Sequence, residues 1–90
     1  MKTTILRKRL DAVMVREVDP ELLLLDTESD QIHQLNQTAS FMWRRCEEVG
    51  SVEELAALVA AEFDVGQDAI LKDVIEMLDK LRALNLVVEA

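Results

Sequence analysis

The sequence is short of most of what chemistry requires. It has one cysteine, one histidine, one proline, two glycines and no tyrosine. Cys46 alone cannot form an internal disulfide, and His33 alone supports neither a zinc site nor a Cys-His nucleophile pair. Gly50 and Gly66 stand apart, so no glycine-rich loop exists to cradle a phosphate. The longest leucine run, Leu22 to Leu25, falls far below the roughly 20 apolar residues of a membrane span, so no membrane partner is expected. The basic start, Met1 to Arg9, leads into no apolar stretch of signal-peptide length, and the expected location is cytoplasmic.

Positive charge is scarce beyond the N-terminus. Lys2, Arg7, Lys8 and Arg9 lie in the first ten residues, whereas the other eighty carry six basic and eighteen acidic side chains, a net of −12. From Gly50 to Ala90 there are nine acidic and three basic residues, which repel phosphates, so no nucleic-acid partner is expected. Residues 1–10 lack a clear period and read as a flexible basic arm, leaving 11–90 as the folded domain. A chain of this length buries roughly 60 to 65 per cent of its unfolded surface and folds without metal or disulfide. Its core is aliphatic, because Phe41, Trp43 and Phe63 are the only aromatics.

What is present reads in order as strands and then helices, an α+β class. Ala12 to Val18 alternates as a strand, and Asp19-Pro20 turns the chain. Leu22 to Leu25 is apolar on both faces and reads as a central strand, covered by helices on one side and partly by the tail on the other. Asp26 to Asp30 turns back into a third strand, Gln31 to Leu35, a hairpin partner of the second. Asn36 or Thr38 caps a first helix whose buried face is Ala39, Met42, Trp43, Cys46 and Val49, stopped by Gly50. Ser51 and Glu54 form a capping box for a second helix with Val52, Leu55, Ala56, Val59 and Phe63 on one face. Asp64-Val65-Gly66 breaks it.

The third helix, about Gln67 to Leu84, carries apolar residues over an arc of about 180°, wider than the roughly 100° that one core needs. One flank is therefore free to face something else. Asn85 suits a left-handed cap, after which Leu86 to Val88 runs back as an extended tail. Cys46 reads as an inert core thiol and Trp43 as a core anchor. Met77 divides between core and groove. His33 and Gln34 point to opposite faces in an order the sequence leaves open. Phe41 lies off the buried face, either exposed or against the N-terminal segment. The carboxylates lie opposite the apolar stripes, so no catalytic residue, metal or cofactor is assigned and the protein is expected not to be an enzyme.

Leu35-Asn36 followed by Thr38-Ala39, then Trp43 and Cys46, then Asp73-Val74 and Leu84 to Val87, resemble the PqqD family of peptide chaperones over about Glu21 to Glu89. Glu48-Val49-Gly50 departs from the family's Asp-Gly turn, a loop difference. The resemblance implies a winged-helix-like domain, a three-stranded antiparallel sheet followed by three helices. It also implies the role of a RiPP recognition element, for ribosomally synthesised and post-translationally modified peptides. Such a domain holds a precursor leader peptide as an added strand and presents it to a modifying enzyme, commonly of the radical S-adenosylmethionine type. Carried over, the docking edge is Gln31, Ile32, His33, Gln34 and Leu35, and the groove wall Val74, Met77, Leu78 and Leu81. An unpaired edge strand beside an apolar helix flank independently suits that mode. The same free edge would also suit a homodimer. Two other readings are a structural or regulatory subunit that binds a partner domain and, against its charge, a DNA-binding winged-helix regulator.

Overall fold

A computed structural model describes residues 6–89. Five strands, β1 (Leu6–Lys8), β2 (Val13–Val18), β3 (Glu21–Asp26), β4 (Gln31–Leu35) and β5 (Val87–Glu89), frame three helices, α1 (Gln37–Arg45), α2 (Val52–Phe63) and α3 (Gln67–Ala83). The antiparallel sheet β2-β3-β4 packs its helix-facing side through Leu22 and Leu24, both essentially inaccessible, with Val13 and Leu35 beside them. The central position expected for the leucine strand is thus observed, as is the winged-helix-like order of three strands before three helices.

The helix faces form as their spacing dictates. Ala39, Met42, Trp43, Cys46 and Val49 are all buried. Asn36, not Thr38, is the cap, its Oδ1 accepting from the Ala39 amide at 2.8 Å. Instead of running on to Gly50, α1 stops at Arg45 and tightens into a 3-10 turn, Cys46–Glu48, whose Glu47 carboxylate accepts from the Lys8 amide at 2.9 Å. Ser51 Oγ caps α2 through the Glu54 amide at 3.1 Å, while the Glu54 carboxylate reaches back to the amide of Gly50. Phe41 packs edge-to-face on Phe63, with ring centres 5.6 Å apart, rather than on the N-terminal segment.

Two expectations need correction. Residues 1–5 of the expected arm lie outside the described residues, but Leu6–Lys8 pairs antiparallel with β5 and buries Leu6 completely. A three-residue strand has no readable period, and its partner comes from the other end of the chain. The tail does not cover the second face of the main sheet either. Because it pairs with β1 instead, Leu23 and Leu25 stay half-buried there, with Met14 and Ile32 exposed beside them.

Candidate functional site

The register of the main sheet decides which backbone groups are free. Leu22 pairs with Leu35, Leu24 with His33 and Asp26 with Gln31, while Leu25 and Leu23 stand opposite Ile32 and Gln34. In an antiparallel ladder, alternate residues exchange hydrogen bonds and those between turn their amides and carbonyls away. The Thr27 amide donates to the Ala12 carbonyl at 2.9 Å, next to the Val13–Asp26 pair. That phase makes Leu23 and Leu25 bond β2, so Leu22, Leu24 and Asp26 bond β4. The amides and carbonyls of Ile32 and Gln34 therefore point to the outer edge of β4, which has no neighbouring strand among the described residues.

The upper end of this edge is pinned from inside. At the Leu22–Leu35 pair the Ser40 hydroxyl accepts from the Leu22 amide at 2.9 Å and donates to the Leu35 carbonyl at 3.0 Å. The lower end is held at the β3–β4 turn. There Arg9 donates to Asp26 Oδ2 at 3.0 Å, to the Asn85 carbonyl at 3.1 Å and to Glu28. Burial pushes the Asp26 carboxyl up, but the Glu28 amide, the Arg9 guanidinium and the Ser29 amide outweigh it and hold the group below its ordinary value.

A groove of about 310 Å³ runs between the β4 edge and α3. Ile32 through Asn36 line it on the strand side, and Met77, Lys80, Leu81 and Leu84 on the helix side. It continues into a shallower depression of about 410 Å³ toward Ile70, Asp73 and Glu76. Asn36 and Met77 border both, so β4 and α3 run in opposite directions along it.

Of the residues named from the sequence, Ile32, His33, Gln34, Leu35, Met77 and Leu81 come together here, and exposed Gln31 sits at the start of the edge. Val74 and Leu78 do not line the groove; each is 1% exposed and lies in the core beneath it. Lys80 and Leu84, not singled out for the wall, belong to it. They lie three and seven residues after Met77, the helical spacing that marks one face. His33 takes the helix-facing side opposite Leu24, and Gln34 the outer side, its side-chain Nε2 donating to the Glu21 carboxylate at 2.8 Å. Cys46 is fully buried, and burial, with Glu47 nearby, pushes its thiol up to about 11, so it offers no thiolate.

Two solved structures share this architecture. TbiB1 in complex with the TbiA(beta) leader peptide is 27% identical with a TM-score of 0.76, over 90% of this chain and 94% of that one. Lasso peptide synthetase B1 complexed with the leader peptide is 24% identical with a TM-score of 0.77, over 92% and 96%, a likeness of fold. Among curated proteins none matches the sequence. Residues 21–87 match the family described as coenzyme PQQ synthesis protein D, and the chain accordingly belongs to the PqqD family.

Proposed function

We propose that this protein is a peptide chaperone that binds the leader of a ribosomally synthesised precursor peptide and presents it to a modifying enzyme, doing no chemistry itself. The leader lies as an antiparallel strand on β4, its backbone bonded to Ile32 and Gln34 and alternate side chains in the groove of Met77, Leu81 and Leu84. The observation that carries this reading is the β4 edge, unpaired among the described residues, beside a groove that Met77, Lys80, Leu81 and Leu84 of α3 line. The leader complexes of the two similar structures support it.

Each strand hydrogen bond contributes only about 0.5 to 1.5 kcal/mol net, and ordering a flexible leader opposes binding. Groove contacts must supply the remainder at roughly 25 cal/mol per Å² buried, which suits affinities near micromolar, about −8 kcal/mol. A radical S-adenosylmethionine enzyme is the partner class that the family resemblance puts first. The same free β4 edge would also suit a homodimer, which would compete with the peptide.

The test is Gln34→Pro, which removes one outward amide from an exposed position. With a precursor leader peptide as titrant, affinity falls about tenfold while helix content by circular dichroism is unchanged. In the unaltered protein the amide resonances of Gln31 to Leu35 and of α3 move together. Titration that moved neither would refute the reading.

A further inference from the structure

The outer face of the sheet, turned away from the helices, carries a row that stops at the docking edge. Met14, Leu25 and Ile32 stand side by side in register across β2, β3 and β4. Met14 is 63% and Ile32 68% exposed, and together with Leu23 they line an apolar depression of about 330 Å³. A single exposed isoleucine means little, but a row continuous with a free edge has a geometric consequence. Side chains of a pleated sheet alternate between faces, and those opposite one another across strands lie about 4.5 to 5.5 Å apart at Cβ. Any strand added to β4 must therefore set one side chain next to Ile32 on this outer face, outside the groove.

We infer that the leader is read on both faces of the sheet, with Ile32 selecting a large aliphatic or aromatic residue on the outer one. This rests on the strand-addition reading above and specifies the substrate. An antiparallel leader meets Leu35, Gln34, His33 and Ile32 in its own N-to-C order. Its residues opposite Leu35 and His33 turn into the groove against Met77, Leu81 and Leu84 and are apolar. The residue between them lies beside Gln34, whose side-chain Nε2 holds Glu21, and is polar. The next residue extends the row Met14–Leu25–Ile32 and is apolar. The recognised segment is thus apolar, polar, apolar, apolar, the last residue facing the opposite way from the two groove residues.

A phage-displayed library of random linear peptides, selected in parallel on the full-length protein and on Ile32→Lys and Gln34→Pro variants, tests this. The full-length protein enriches the four-residue pattern. Ile32→Lys, a change at an exposed site, converts the last position from apolar to acidic while both groove preferences persist. Ile32→Ser weakens a synthetic peptide from the enriched set about fivefold. Indifference at the last position, with groove preferences intact and lost in Gln34→Pro, overturns two-sided reading and leaves strand addition standing. Enriched peptides that bind Gln34→Pro equally well overturn strand addition itself. A dimer in sedimentation that Ile32→Lys dissociates assigns the row to a second copy of this chain and likewise overturns the inference.

Discussion

Ser40 shows how much of the site rests on one hydroxyl. It is completely buried and bridges β3 and the end of β4, accepting from the Leu22 amide and donating to the Leu35 carbonyl. Ser40→Ala leaves both groups unsatisfied and lowers stability by about 1 to 3 kcal/mol, measured by urea denaturation with an unchanged m-value. Nothing in the sequence marked this serine, since its role depends on two strands it does not belong to. Asp26 was similarly hidden: beside the leucines it reads as the first residue of a polar turn, yet it is 5% exposed beneath Arg9. Its carboxyl is held below the ordinary 3.8, so its stabilising contribution is complete above about pH 4 and is lost as pH falls through the folded value. Melting temperatures of the wild type therefore fall more steeply below pH 4 than those of Asp26→Asn, which is the less stable protein at pH 7. Cys46, by contrast, was legible from its place in line with Ala39, Met42 and Trp43, although it opens the 3-10 turn after α1. With its thiol raised to about 11, it reacts with a disulfide reagent at pH 8 only as fast as the protein opens.

At the scale of elements, periodicity exposed the helix faces, and the left-handed cap exposed the end of α3. Asn85 adopts φ 59°, which lets the Leu86 amide return to the Leu81 carbonyl at 3.0 Å and aims β5 at β1. Asn85→Ala costs about 1 kcal/mol through left-handed strain, while Asn85→Gly is close to neutral, as thermal melts of the two variants would record. The wide apolar arc of α3 spans both the core and the groove, and the sequence did not divide it. Val74, Leu78 and Leu81 turn into the core, Leu81 also flooring the groove, and the half-buried Met77 and Leu84 border it. Both sets lie on one continuous apolar surface, and only the placement of β4 separates them. The edge strand itself could be read to the residue, because Gln31–Leu35 lies between a polar turn and a capping asparagine.

For the whole molecule, the decisive feature is that β1 and β5, the first and last strands among the described residues, pair with one another. The match to the PqqD family begins at residue 21, so β1 lies outside it, although Leu6 is as inaccessible as any core leucine. β1 packs chiefly on β5 and on the 3-10 turn after α1. Nearby, the Trp43 indole donates to the Leu86 carbonyl at 3.0 Å, and Lys8 Nζ lies 5.1 Å from the centre of the Trp43 ring. The N-terminal segment therefore acts as a lid on the aliphatic core more than as a part of the β4 groove. Removing the buried leucine atoms costs about 2 to 5 kcal/mol, a large share of the roughly 5 to 15 kcal/mol that holds a domain folded. Leu6→Ala accordingly lowers the melting temperature and shifts Trp43 emission to the red at temperatures where the wild type is still folded. Well below its own melting temperature, the same variant binds leader peptide with wild-type affinity, measured by calorimetry. An affinity loss in fully folded Leu6→Ala would instead make β1 part of the recognition surface.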